Sequence, residues 1–215
     1  MPEHYHSYTE LLENNKNWVK ERLSADPKYF ENLSSGQRPP YLYIGCSDSR
    51  KPLNLMTQTE PGEVFIHRNI ANQIFLSDMN ILSVLEFAVE VLKVRHIIVC
   101  GHHNCGGVEA ALRGNAKGIV ENWITPIRDL YLNNKTMLDE IENMQDRIDK
   151  LAELNVVMQV KNVLTTSIIK KACGSDEYPQ IHGWIFKMNS GFIQEVELPW
   201  QEWRNIGLIS DNYSS

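Results

Sequence analysis

Two short apolar runs, Tyr41-Leu-Tyr-Ile44 and Ile97-Ile-Val-Cys100, each pass through a glycine straight into a segment dense in reactive side chains, Cys46-Ser-Asp-Ser-Arg50 and His102-His-Asn-Cys105. Runs of that length, rich in branched and aromatic residues and without polar alternation, read as buried strands. Such strands need helices over both faces, which points to an α/β fold with a parallel sheet. In open α/β sheets ligands gather outside the carboxyl ends of the strands, so two reactive segments far apart in the chain are placed to meet at one site.

The surrounding pattern supports that fold. A second strand is expected at Val64–His67, after the turn signal Glu60-Pro-Gly62. Ser77-Asp78 can cap a helix from Met79 to Lys93, largely buried except for a polar stripe of Ser83, Glu86, Glu90 and Lys93. A further helix starts at Val108 behind Gly106-Gly107, so strand, helix and strand alternate with right-handed crossovers. From Asn122 to Ala172 the pattern is helical, interrupted near Pro126 and Asn133-Asn134 and stopped by Gly174 as a C-cap. Ile181–Lys187 reads as a strand, and Asn189-Ser-Gly191 turns it into an antiparallel edge strand over Phe192–Leu198. The expected architecture is a mostly parallel central sheet, about four parallel strands plus the antiparallel edge, flanked by helices. Tyr8–Leu23 is an amphipathic arm, and Arg38-Pro-Pro40 blocks helix before the first strand. The chain reads as a single domain over 1–215, with 1–35 as its N-terminal helical arm.

Net charge of −6 without a basic run argues against nucleic acid. No apolar window is long enough for a membrane span, and the start lacks a signal-peptide pattern, so the cytoplasm is the expected compartment. Cysteines at 46, 100, 105 and 173 then read as thiols rather than disulfides. Cys100 and Cys173 suit the core, as do His67, His96 and His182 a core or loop position.

Catalytic zinc takes three protein ligands and keeps a fourth position for water or substrate, and Cys46, His102 and Cys105 supply that count. His103 is a rival that faces away if His102 points in. Asp48 and Arg50 stand two apart and can pair as carboxylate and guanidinium. A closed structural zinc site with Asp48 as fourth ligand is the competing reading.

Both segments resemble the signatures of the β-class carbonic anhydrases, Cys-Ser-Asp-Ser-Arg and Gly-His-x-x-Cys-Gly-Gly, without a substitution. The resemblance runs from about Gln37 through Gly183 and takes in Glu60-Pro-Gly-Glu63, Arg68-Asn-Ile-Ala-Asn72, Glu153-Leu-Asn155 and Ile181-His-Gly-Trp184. It implies zinc on Cys46, His102 and Cys105, a catalytic carboxylate at Asp48 paired with Arg50, and Asp48 as fourth ligand in a closed state only. The implied substrate pocket is Gln37 as hydrogen-bond donor with Phe65, Ile70 and Phe87 as apolar wall, often completed by a second subunit. A homodimer or dimer of dimers is therefore expected. The implied reaction is reversible hydration of carbon dioxide to bicarbonate and a proton by a zinc-bound hydroxide. Two thiolates offset the metal's charge, so activity is expected to rise toward alkaline pH. A same-scaffold carbon disulfide or carbonyl sulfide hydrolase is the alternative, and a non-catalytic zinc-stabilised interaction protein a more distant one, which has no need of Asp48 and Arg50. In members with a bicarbonate regulatory pocket, Arg68 matches its arginine. Tyr43 replaces that pocket's Trp and Phe186 its Tyr, so inhibition by that route is not expected.

Overall fold

Branched and aromatic residues build a five-stranded sheet in the order β2-β1-β3-β4-β5 in the computed structural model, which describes residues 6–173, 179–210 and 213. β1 (Tyr41–Cys46), β2 (Val64–Asn69), β3 (His96–His102) and β4 (Gln180–Phe186) are parallel, and β5 (Ile193–Glu195) runs antiparallel to β4 at the edge. The expected fold class is present. The chain leaves β1 to one side for β2 and then crosses to the other side for β3 and β4. That reversal opens a crevice between the carboxyl ends of β1 and β3, where α/β sheets bind ligands.

Strand pairing carries further than the apolar runs do. Cys46 still pairs with Asn69, and His102 with Phe186, so both are terminal strand residues rather than turn residues. Leu42, Ile44, Ile97, Val99, Ile181 and Ile185 face the main core. Tyr43, Ile98, Cys100 and Phe186 face a smaller cluster on the opposite side, closed by Leu53 of α3 (Leu53–Thr57).

α4 (Met79–Glu86) is capped by Asp78, continues as a π-turn over Phe87–Val91, and is followed by Lys93 at φ 56°. The expectation of a largely buried cylinder is corrected here. Ile81, Leu85, Ala88 and Val89 are buried, but Met79, Phe87 and Val91 are exposed, because only one face of this helix meets the sheet. α5 (Gly106–Arg113) follows β3 directly. α6 (Ile119–Asn133) runs unbroken through Pro126, contrary to expectation: the proline forgoes one main-chain bond, while Ile124, Ile127 and Tyr131 keep the helix face buried. The break at Asn134 is present, before α7 (Lys135–Asp139), α8 (Met144–Thr165) and α9 (Ser167–Ala172). The expected C-cap Gly174 lies outside the described residues. β5 is shorter than the Phe192–Leu198 expectation: Val196 N still bonds Gly183 O at 2.8 Å, after which the chain leaves the ladder for α10 (Trp200–Asn205).

By contacts the chain divides into two compact units, Met1–Gln37 and Arg38–Ser215, and the sheet belongs wholly to the second. The first holds α1 (Tyr8–Ala25), started by a capping box between Ser7 and Glu10, and α2 (Tyr29–Ser34). Trp18, Tyr29 and Phe30 gather their rings between these helices. No described helix is long and apolar enough to cross a membrane.

Burial holds His67 and His182 below the ordinary histidine pKa, and the His96 ring, its Nδ1 3.1 Å from His182 Nε2, pushes His182 the same way. The unfolded chain therefore takes up these protons first as pH falls. The stability contributed by the neutral rings is complete above about pH 6.5 and is lost below it. The urea midpoint should drop between about pH 7.5 and about pH 5.5, and His182→Gln should shrink that drop. Equal drops in the two proteins would remove His182 from this account.

Candidate metal centre

Cys46 and His102 end neighbouring strands, and Cys105 stands at the N-cap of α5, after Asn104 turns the chain with φ 56°. All three are buried. Gly101 is required on the approach: a Cβ there would lie 2.6 Å from Val156 Cγ2, so any side chain would push β3 off α8. The turn is also tied to α8 through Asn104 N, which donates to Asp149 Oδ1 at 2.9 Å. His103 points away from the centre as expected, with its ring nitrogens 3.5 Å from Asp149 and 3.5 Å from Glu153.

The donor atoms of Cys46, His102 and Cys105 lie within 4.8 Å of one another. A tetrahedral zinc with ordinary bond lengths needs its ligands about 3.5 Å apart, within that span. His102 Nδ1 is 2.9 Å from His103 O, which fixes the tautomer with its proton on Nδ1. Its Nε2 is buried with no hydrogen-bond partner, the state of a lone pair reserved for a metal. The thiols complement it. Cys46 is brought down to about 4, first by a hydrogen bond with Cys105 and then, against desolvation, by His102 and the main chain at Asp48. Cys105 moves up through the same thiol pair and burial, opposed by the Val108 and Gly107 amides at the start of α5. The residues therefore fit a zinc ion.

Asp48 sits on the open side. Its Oδ2 is 3.8 Å from His102 Nε2, and Arg50 clamps it at both oxygens, Nε to Oδ1 at 2.9 Å and Nη2 to Oδ2 at 2.6 Å. Arg50 N also donates to Oδ1 at 2.9 Å, closing an Asx turn, while Nη2 reaches Asn104 O at 3.2 Å. These bonds from Arg50 hold the Asp48 carboxyl well below the usual carboxylate range.

The sequence reading missed what supports these groups. Arg68 donates from Nε to Cys46 O at 2.8 Å and from Nη2 to Asp48 O at 2.7 Å, locking the turn from the β2 side. Asn155 and Gln159 of α8 are buried and hold the 71–74 segment, Asn155 through Ala71 O at 3.1 Å and Gln159 through Ile74 N at 2.8 Å. Their four-residue spacing on an otherwise apolar helix face was the available signal. The same segment sets Ile70 against α5, where a Cβ on Gly107 would be 3.2 Å from Ile70 Cγ2. Phe65 and Phe87 form a ring pair at 5.9 Å, and Gln37 is the last residue of the N-terminal unit.

Fold and donor set together define a class: an α/β protein with a buried Cys-His-Cys centre at the switch point of its sheet. Within that class, the carbonic anhydrase family model matches residues 41–193. The chain is similar to a carbonic anhydrase of Emericella nidulans, 42% identical over 89% of this chain and 84% of that one. One from Candida albicans is 34% identical over 95% of this chain and 73% of its own length. Among solved structures, a β-carbonic anhydrase of Aspergillus fumigatus superposes with TM-score 0.86 at 36% identity, covering 95% of this chain and 99% of that one. A β-carbonic anhydrase of Sordaria macrospora, described as tetrameric, gives 0.85 at 36% identity over 88% and 96%. The chain belongs to the β-class carbonic anhydrases.

Proposed function

We propose that the protein hydrates carbon dioxide reversibly to bicarbonate and a proton at a zinc ion held by Cys46, His102 and Cys105, with Asp48 and Arg50 as its catalytic dyad. The observation that carries this reading is the Asp48 carboxylate, clamped by Arg50 and standing 3.8 Å from the unpartnered Nε2 of His102. A closed structural site would take this carboxylate as its fourth ligand and has no use for an arginine that holds it back at both oxygens. Zinc bound there supplies a nucleophile near neutral pH by acidifying water.

The chain's own residues do the rest. Asp48, held ionised by Arg50, is a pure acceptor that orients the nucleophile's proton. In a closed state, released from Arg50, it would help hold the metal as a fourth ligand. Ile70, Phe65 and Phe87 offer apolar wall for a small apolar substrate, and the family resemblance adds Gln37 as a donor to its oxygen. Ile70 is 44% and Phe87 43% exposed in the single chain, so a second copy completing the wall accounts for them. A homodimer or dimer of dimers is part of the reading, as is one functional domain spanning 1–215. Four free cysteines suit the reducing cytoplasm. Arg68 places two of its N–H donors on Cys46 O and Asp48 O, and Phe186 brings no hydroxyl to the cluster it shares with Tyr43, which supports the absence of a bicarbonate regulatory site.

Rates measured side by side on carbon dioxide, carbonyl sulfide and carbon disulfide test the substrate. Carbon dioxide should be turned over at least about a hundredfold faster than either sulfur compound. A faster rate on a sulfur compound would move the protein to the hydrolases of this scaffold, and no turnover of any would leave a zinc-stabilised interaction protein.

A further inference from the structure

Lys51 is 1% exposed, although a lysine is almost never buried without a charged partner. Its Nζ donates to Cys100 O at 3.3 Å and Gly101 O at 3.4 Å, stands 3.6 Å from Cys100 Sγ, and lies 5.7 Å from the Tyr43 ring centroid. These partners are two main-chain carbonyls, a thiol and a ring face, none of them a carboxylate. Its own N–H bonds back to Asp48 O at 3.3 Å. One residue thus joins the Cys46–Arg50 turn to the end of β3, one peptide before His102.

For packing alone a lysine is a poor choice. Replacing buried charged groups by apolar residues of similar volume is often neutral or stabilising. What an apolar side chain cannot do is direct two charge-assisted bonds onto carbonyls and so fix where the strand ends. Arg68 pins the turn from the β2 side, and Lys51 pins it from the β3 side.

We propose that Lys51 is a positioning residue for the metal centre: its buried ammonium ties the Cys100 and Gly101 carbonyls to the Cys46–Arg50 turn, setting His102 against Cys46 before a metal arrives. The proposal rests on the zinc reading above. Groups that orient metal ligands from behind typically change metal affinity about 10- to 100-fold when removed.

The test compares the unaltered protein with Lys51→Met and Cys100→Ala, each loaded with zinc and, separately, with cobalt. Lys51→Met should release zinc to a chelator at least about tenfold faster and show altered cobalt–thiolate absorption, while its metal-free form unfolds in urea at the same or a higher midpoint. Cys100→Ala, which spares the carbonyl bonds, should keep zinc release within about twofold. A residue needed only for packing moves stability and metal retention down together. Unchanged zinc release and cobalt spectrum in Lys51→Met would overturn the proposal and leave the zinc reading standing. A metal-free Lys51→Met that fails to fold, or unfolds at a lower midpoint, would assign Lys51 to the core and overturn it too. An unaltered protein that takes up no zinc would overturn the zinc reading and this proposal with it.

Discussion

Cys46→Ala should leave the protein without bound zinc and lower carbon dioxide hydration more than about a thousandfold. The substitution removes the one donor contributed by β1, and His102 and Cys105 alone fall short of the three protein ligands a catalytic zinc requires. It also removes the thiolate that Cys105 and His102 favour. The fold should survive, because alanine costs a buried strand end little more than a sulfur atom's packing. Metal analysis and circular dichroism on the same sample separate the two effects. A folded Cys46→Ala protein that still binds one zinc per chain would mean that the ligand set has been drawn wrongly.

Asp48→Ala should behave in the opposite way toward the metal: zinc stays near one per chain while hydration falls about 10²- to 10⁴-fold, the range in which a positioned acid or base acts. The three ligands do not depend on Asp48, but the nucleophile's acceptor and Arg50's partner both disappear. Arg50→Ala should act through the same carboxylate. Freed from two side-chain bonds of 2.9 and 2.6 Å, Asp48, whose Oδ2 already stands 3.8 Å from His102 Nε2, can swing toward the three ligands. The cobalt form of Arg50→Ala should then show the spectrum of a closed, fully protein-ligated site. Unchanged cobalt absorption, together with full activity of Asp48→Ala, would dissolve the dyad.

The meeting of Cys46, His102 and Cys105 was legible in the sequence because each reactive segment follows an apolar strand, and parallel strands put their carboxyl ends on one side of a sheet. Register was not legible. Nothing in the local pattern of β1 or β3 says that Gly45 stands opposite Cys100, and that pairing sets how close Cys46 and His102 come. Helix α4 misled because a continuous apolar pattern does not tell a helix covered all round from one covered on a single face, and Phe87 and Val91 are exposed. Pro126 misled for a related reason, since burial of Ile127 and Tyr131 outweighs one missing bond. Lys51 gave no signal at all. A lysine in a polar turn reads as solvated, and only the path of β3 over that turn shows that it is enclosed.

The central claim is that zinc on these three residues, worked by Asp48, turns over carbon dioxide. Stopped-flow hydration of carbon dioxide, run across pH with zinc content measured on the same samples, tests it on the loaded protein, the chelator-stripped protein, the stripped protein reloaded, and Asp48→Ala. One zinc per chain is predicted, with activity that rises toward alkaline pH, vanishes on stripping, returns on reloading and collapses in Asp48→Ala without loss of metal. Turnover indifferent to zinc, or full zinc occupancy with no rate above the uncatalysed reaction, would contradict it.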